Sequence, residues 1–438
     1  MNKEKIDKKR IWIIWAGPAW IFLSLLLLKN LNQKSKNLEI HLFEENFQLW
    51  KKLKLTWNWK MNISNKIFWV NQFFSNEERI LKNFFKNNLT KNSEKIFDEI
   101  WIEYFWKWNR AILKNENAKK EVENLEKILE KNPNIFLHKW EKISEIEKIF
   151  LKNSEKFFIN WDKNIFFDKI ILASWWILQI WKTWKSWNKK SEIYSIPEKL
   201  WHKITKTEPS LSPILIRENP FSELSGSAFF WEISDLENKN WNKIIWDILF
   251  THKWLSWPAI LDFTANEISE NCEINFFPNL EKNKNLENIF LEKFIRNKEI
   301  SEKSKEKISD FIKNFATKNI LPKKIINFIL EKTLTKNSFW DKISDTKISD
   351  ISKKNFLEIR KNFFHLKINN CQKMDYQFCR TTKWWIDLKE ININSLESKI
   401  HKNLFFAWEI LDINWLCWWY NISFAAICAK IISNEICK

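Results

Sequence analysis

After ten mostly charged residues the chain turns apolar from Ile11 to Leu28, interrupted only by Gly17, Pro18 and Ser24. The pattern divides into a short strand at 11–15 and a helix at 17–30. A second strand follows in "NLEIHLFEEN", ending at Glu44. That order, strand then helix then strand, is a βαβ unit of ordinary length. Further on, "FFDKIILAS" reads as a buried strand, and residues 194–265 carry short apolar runs broken by prolines, as strands do. Within 276–344 the stretch "NLEKNKNLENIFLEKFIRNKEISEKSKEKISDFIKNF" places apolar residues at i, i+3 and i+4 among Lys and Glu, the spacing of amphipathic helices. A competing reading of 11–28, preceded by Lys8, Lys9 and Arg10, is a membrane anchor or the apolar core of a signal peptide.

Composition changes the picture at one point. A chain of 438 residues ordinarily holds about 7% glycine, roughly 31 residues, but this one has 2 Gly and 30 Trp. The tryptophans fall in "TWNWK", "ASWWI", "KTWKSW", "LSWP", "TKWWI" and "CWWYN", which are turn settings where glycine's freedom at positive φ is wanted. The expectation is that most of these positions are glycine in the living source, encoded by a codon such as UGA that the translation table reads as Trp. The rival is a truly Trp-rich chain that stacks on nucleic acid or lies on a membrane.

The charge of +18 points formally to polyanions, but the seven arginines among 72 basic residues, with Lys, Asn and Ile abundant throughout, fit AT-rich coding better than a built patch. Cysteines at 272, 371, 379, 417, 428 and 437 form no CxxC pair and no zinc spacing, so no metal site is expected and the thiols read as reduced in a cytoplasmic protein.

With glycine at positions 12, 15 and 20 the first turn reads GxxGAGPAG. Its core, Trp15-Ala16-Gly17-Pro18-Ala19-Trp20, becomes the dinucleotide fingerprint G-x-G-x-x-G. The first glycine permits the turn, the second lets the backbone meet a pyrophosphate, and the third lets helix pack on strand; the helix N-terminus faces the phosphates. Glu44, at the end of the second strand, is placed for the ribose hydroxyls and disfavours a 2′-phosphate. No other such fingerprint is visible, so a separate nicotinamide-binding domain is not expected.

Reread with glycine at Trp50, Trp57 and Trp59, "FEENFQLWKKLKLTWNWKMNISN" resembles the GrKllitGnGrCNitN segment of a family of NAD(P)/FAD-dependent oxidoreductases, the BaiN-like and aminoacetone oxidase-like flavoproteins. Further segments resemble it in the same order: "FFDKIILASWWILQIWKTWKSW", "LWHKITKTEPSLSPI", "WDILFTHKWLSWPAILDFT", "LPKKIINFIL", "TTKWWIDLKEIN" and "LFFAWEILDINWLCWWYNISFAA". The last is the most specific. Met61 departs from a position where the family often has Cys, and Cys417 replaces a small polar residue.

The resemblance implies an α/β fold: a Rossmann-like FAD-binding domain of two or three layers, with an inserted β-barrel and a small helical domain. The expected division is 1–190 and 375–438 for the FAD domain, 191–275 and 345–374 for the barrel, and 276–344 for the helices. It implies FAD as cofactor, held by Trp12, Trp15, Ala16, Gly17, Pro18, Ala19, Trp20, Glu44, Lys52, Trp57, Asn58, Trp59, Lys60, Asn62, Trp175, Trp176, Trp408, Glu409, Asp412, Trp418, Trp419, Tyr420 and Asn421. Asp412 would take a ribityl hydroxyl, and the helix opening at Asn421 would face the flavin N1/O2 edge. Asn421 as a plain N-cap, Lys60 as a solvated lysine and Asp412 as a loop carboxylate are the bland alternatives. His252, beside Thr251, is the candidate acid–base group, and a structural histidine is its alternative. Cys417 reads as a packed thiol sooner than a redox group. The implied function is electron transfer between a small organic substrate and flavin, with NAD(P)H or dioxygen as second partner. A reductase of an enone-type double bond is the variant reading. No nucleic-acid partner and no stable membrane insertion are expected. A membrane-anchored or nucleic-acid-binding protein without enzymatic activity is the alternative class.

Overall fold

Proline supplies the helical φ and has no N–H to waste at the first helical position, so the apolar run breaks where Pro18 starts a helix. In the computed structural model the run divides accordingly into the strand Lys9–Ile14 and the helix Pro18–Lys34. The structure describes residues 9–14, 17–34, 38–45, 62–66, 72–88, 94–107, 109–115, 117–151, 154–159, 162–173, 195–217, 221–237, 243–278, 285–300, 306–316, 321–334, 346–383, 385–416 and 418–438. Trp20, Ile21, Phe22, Leu23, Leu25, Leu26 and Leu27 are all buried, so this helix is covered on every side. Internal packing accounts for its uniform hydrophobicity. Among the described residues no helix is long and apolar enough to cross a membrane.

The chain forms two units, residues 1–209 with 380–438, and residues 210–379. The cuts fall at Pro209 and Arg380, and the expected helical segment lies within the second unit.

In the first unit a seven-stranded sheet runs in the order 391–392, 397–398, Leu404–Phe406, Lys169–Leu172, Lys9–Ile14, Leu38–Glu44, Ile135–Lys139. Its five central and distal strands are parallel, with Ile13 level with Leu42 on one side and Ile171 on the other. Parallel strands buried on both faces are apolar where they are covered, which Ile11–Ile14 and Ile170–Leu172 satisfy after the charged residues at each strand's start. The helix Trp418–Ile436 returns the C-terminus to the first helix, where Asn30 Nδ2 donates to Ser433 Oγ at 3.0 Å. Phe167, from a three-stranded antiparallel sheet spanning 146–167, stacks on Trp12 at 3.8 Å between ring centroids.

The second unit holds a seven-stranded antiparallel sheet in which Leu366–Ile368 and Cys371–Lys373 form opposite edges. Only residues 369 and 370 join them, a reach of about 10 Å, so the sheet must curl until its edges nearly meet. Four helices, Leu286–Ile300, Ile308–Phe315, Lys323–Leu334 and Lys353–Phe364, share a phenylalanine core in which Phe294 stacks on Phe356 at 3.3 Å.

Among the described non-glycine residues nine have positive φ, and five of them are tryptophans: Trp101 (60°), Trp140 (65°), Trp201 (62°), Trp257 (86°) and Trp408 (72°). Left-handed backbone costs an L-residue roughly 1–2 kcal/mol, and a bulky aromatic is a poor choice for it. Trp140 and Trp201 are also 72% and 83% exposed, so burial recovers little there. Trp140→Gly and Trp201→Gly are each expected to stabilise the chain by up to about 1 kcal/mol, after the entropy glycine restores to the unfolded state is subtracted. Thermal melts of the single variants test this, and a lower midpoint in both would contradict it.

Candidate functional site

Three segments distant in sequence meet at the C-terminal end of the first unit's parallel strands. The first is the turn at Gly17, between strand and helix. The second, Ala407–Asp412, follows the strand Leu404–Phe406, and Ala407 N–H donates to Leu172 O at 3.0 Å, extending the sheet. The third is the opening of the helix Trp418–Ile436. Carboxyl ends of parallel strands, with helix N-termini above them, are where such sheets bind ligands.

The centre of this meeting point is filled by Trp408. Its backbone is left-handed, its side chain is 1% exposed, and a methyl group built on Gly17 would collide with its six-membered ring. Trp408 Nε1 donates to Asn421 Oδ1, and Asn421 Nδ2 donates to Glu409 Oε1 at 3.0 Å. Asn421, Glu409 and Tyr420 are buried. The helix opens at Trp418, three residues before Asn421, so Asn421 is not its N-cap; its side chain instead links the second segment to the third. A pyrophosphate needs the face of Gly17 that the indole covers, so the residues as written do not fit a dinucleotide here. Trp20, the third fingerprint position, is wedged between helix and strand, with Nε1 donating to Ile13 O at 3.2 Å. Trp12 is fully buried against Phe43 and Phe167, and its Nε1 finds no acceptor among the described residues.

Asp412 is fully buried. Its Oδ2 accepts from Ser75 Oγ and Asn76 N–H, both at 3.2 Å, and its Oδ1 from Asn76 Nδ2 at 3.4 Å. Burial pushes its carboxyl up to about 7, assisted by the charge of Asp387; the Ser75 and Asn76 bonds oppose the shift. Glu44 is buried at the end of its strand, while Asn62 lies at the start of the strand Asn62–Asn65. That strand is tied to the C-terminal helix by Ser423 Oγ, which donates to Ile63 O at 3.1 Å. Pro18 and Ala19 are buried in the first helical turn.

Trp15, Ala16, Lys52, Trp57, Asn58, Trp59, Lys60, Trp175, Trp176 and Cys417 lie outside the described residues, and of Trp418 and Trp419 only the helical backbone is described. His252 belongs to the second unit, exposed in the turn where Thr251 Oγ1 accepts from Trp254 N–H at 2.9 Å; among the described residues no carboxylate orients it. The structure does not bring it together with Gly17, Trp408 and Asp412 within one unit.

Two arrangements escaped the sequence reading. Lys383, its side chain 1% exposed, lies 3.4 Å from Glu208 on the segment leading to Ile386, whose backbone bonds both Ile410 O and Asp412 N–H. A lysine just before "WWID" was the only signal. His202 accepts or donates at both ring nitrogens, Nδ1 to Glu390 Oε2 and Nε2 to Ser398 Oγ, each at 3.0 Å. That order mimics a nucleophilic triad, but Ser398 Oγ already accepts Ile400 N–H at 3.0 Å and His401 N–H at 2.8 Å, which makes it a turn cap. Burial lowers the His202 pKa, so the neutral ring is the packed form.

The model for the HI0933-like protein Rossmann domain matches residues 9–434 of this chain. A curated relative, the ribosomal RNA dihydrouridine synthase of Haemophilus influenzae, is 25% identical over 249 residues, which is 55% of this chain and 56% of the relative. The chain thus matches little more than half of that relative's length. Similar solved structures include PqsL, a probable FAD-dependent monooxygenase from Pseudomonas aeruginosa (TM-score 0.34, 6% identity, 98% of this chain and 86% of that one). The tetracycline destructase Tet(55) gives a TM-score of 0.33 at 10% identity, over 99% and 81%. CtdE in complex with FAD and a substrate gives 0.32 at 9%, over 96% and 78%. Likenesses this slight carry no conclusion about this chain.

The Asp412 environment has a measurable signature. Its carboxyl titrates higher in the folded state than in the unfolded one, where the ordinary value is about 4. Its contribution to stability is therefore greatest below about pH 4 and is lost as pH rises towards 7. Asp412→Asn should flatten that fall, by up to about 1.4 kcal/mol per pH unit at its steepest. Chemical denaturation of both proteins without added ligand, at pH values from 4 to 8, is the check; parallel curves would contradict the shift.

Proposed function

The chain belongs to the HI0933-like Rossmann-domain family, and from that premise we propose that it is a flavoprotein oxidoreductase whose functional form carries glycine where Trp12, Trp15, Trp20, Trp57, Trp59, Trp408, Trp418 and Trp419 are written. The observation that carries the reading is Trp408, a left-handed residue whose indole takes the space above Gly17. Glycine there relieves the backbone and opens the turn in the same change. The other left-handed tryptophans, and 2 Gly beside 30 Trp, support the same substitution elsewhere. With the indole removed, Gly17 and the helix start at Pro18 would face a pyrophosphate. Glu44 would take the adenosine ribose, Asp412 a ribityl hydroxyl, and Glu409 and Asn421 would border the isoalloxazine end.

FAD, when bound, supplies a two-electron carrier. For the substrate, the name of the Haemophilus influenzae relative favours uridine within ribosomal RNA. Reducing uridine to dihydrouridine adds hydride and proton across a carbon–carbon double bond conjugated to a carbonyl, the enone-type chemistry that was the variant reading of the sequence. Such a reductase needs an electron donor of the NAD(P)H class. The small-molecule reading, with dioxygen as partner, differs in leaving RNA unchanged.

A gene recoded with glycine at positions 12, 15, 20, 57, 59, 408, 418 and 419 is expected to yield yellow protein holding about one FAD per chain. The version with Trp should hold essentially none, because filling a tight site costs about 1–3 kcal/mol before the phosphate contacts are counted. FAD released on denaturation measures it, and equal flavin in the two would sink the assignment. Peptides of the native protein spanning these positions should carry the mass of glycine. Incubation of the recoded protein with protein-free ribosomal RNA and NADPH, followed by nucleoside mass spectrometry, tests the substrate.

A further inference from the structure

The second unit carries a surface cleft of about 600 Å³ lined by Lys353, Lys354, Arg360, Lys361, His365 and Glu287, among others. Most of its cations come from one helix, Lys353–Phe364. The buried side of that helix is Phe356, Ile359 and Phe363, which enter the phenylalanine core and fix its rotation. Lys353, Leu357 and Lys361 follow at four-residue spacing, with Lys354 beside them, so they form one exposed stripe. Eight residues separate its ends, roughly 12 Å along the helix.

Two acidic groups line the cleft: Glu358, exposed on the helix itself four residues after Lys354 and three before Lys361, and Glu287, which is engaged. Glu287 Oε1 lies 3.4 Å from Arg360 Nε, and its Oε2 lies 3.1 Å from His365 Nε2. His365 Nδ1 meets Glu273 Oε1 at 2.7 Å. Burial would lower the His365 pKa, but Glu273 and Glu287 together hold it above the ordinary value. These pairs stiffen one wall and spend its negative charge. Among the described residues no carboxylate pairs with Lys353, Lys354 or Lys361, whereas Lys243 and Lys313 of the same unit each reach one. Lys353, Lys354, Arg360 and Lys361 outnumber Glu287 and Glu358 in this cleft, a positive surplus that an anion lying across the helix would balance.

The composition of the stripe selects the kind of anion. Protein interface cores are depleted in lysine and enriched in aromatic residues; here there are three lysines, one glutamate and one exposed leucine, Leu357 at 37%, and among the described residues no Phe, Tyr or Trp lines the cleft. Flexible ammonium groups without a planar anchor are suited to a phosphate backbone, which positions a nucleic acid without reading its sequence. We infer that the Lys353–Lys354–Lys361 face of this helix is a docking surface for the phosphate backbone of ribosomal RNA, separate from the Rossmann site of the first unit. The inference rests on the reading of ribosomal RNA as substrate.

Each phosphate neutralised contributes roughly 0.7–0.9 to the slope of log affinity against log salt. Filter binding of the full-length chain to protein-free ribosomal RNA, over about 50–200 mM salt, reads that slope. Replacing Lys353, Lys354 and Lys361 together by Ala is expected to lower the slope by about 2 and the affinity at least tenfold at the upper salt. The triple Lys→Arg variant should retain the unaltered curve, and thermal melts confirm that both variants fold. An alanine variant that binds like the unaltered chain overturns the inference while leaving ribosomal RNA as substrate intact. An equal loss on replacing Lys119, Lys120 and Lys131, exposed lysines of the first unit, would mean diffuse attraction and also overturn it. Competition by polyglutamate as effective as by RNA would assign the face to an acidic protein instead. Absence of RNA binding by every form would remove both the docking surface and the RNA substrate, with flavin content unaffected.

Discussion

The space directly above Gly17 governs the whole candidate site. A strand-to-helix turn can bring backbone amides to a phosphate only if nothing larger than hydrogen stands over it, and in this chain the Trp408 indole stands there. The same indole holds Asn421 and, through it, Glu409 in one buried chain of hydrogen bonds. Three segments therefore close on a side chain, which issues from a left-handed backbone that glycine adopts at no steric cost.

The scaffold around that space is built by apolar burial. The first helix has no polar face because the sheet lies on one side and the C-terminal helix on another, so the two ends of the chain form one layer. Polar atoms within this layer are few and specifically bonded: Ser24 Oγ to Trp20 O at 2.7 Å, Ser433 Oγ to Asn30, and Ser423 Oγ to the strand at Ile63. Each fixes the position of one element against another at little cost, because a small hydroxyl is easily satisfied. The second unit solves a different problem. Its sheet curls, its helices share an aromatic core, and its surface is left to carry charge.

Buried charge is confined and compensated. Asp412 is held by three donors, Lys383 lies against Glu208, and His202 is fixed by Glu390 and Ser398. Burial raises the Asp412 pKa to about 7 and lowers the His202 pKa, in each case favouring the uncharged form. The lysine face of the second unit is the opposite case, exposed and, among the described residues, without an ion pair to Lys353, Lys354 or Lys361.

The sequence by itself determined the elements. Period and apolar content placed the strand Lys9–Ile14, the helix Pro18–Lys34 and the strand ending at Glu44, because a parallel strand and a buried helix must be apolar wherever they are covered. The excess of tryptophan in turn settings was equally legible, since turn chemistry is local. The anchor reading of 11–28 could not be dismissed from hydrophobicity alone. Only the neighbours that cover the helix distinguish a buried segment from one that needs lipid. Tertiary structure also decided which residues meet. Trp408 and Gly17 are far apart in the chain, as are Asp412 and Ser75, and no local pattern encodes either contact. His252, which a motif marked, is exposed in a turn of the second unit, and no local pattern encodes that exposure. Backbone handedness at Trp101, Trp140, Trp201, Trp257 and Trp408 was likewise settled by the fold, because φ at a turn follows from where the two flanking elements must go.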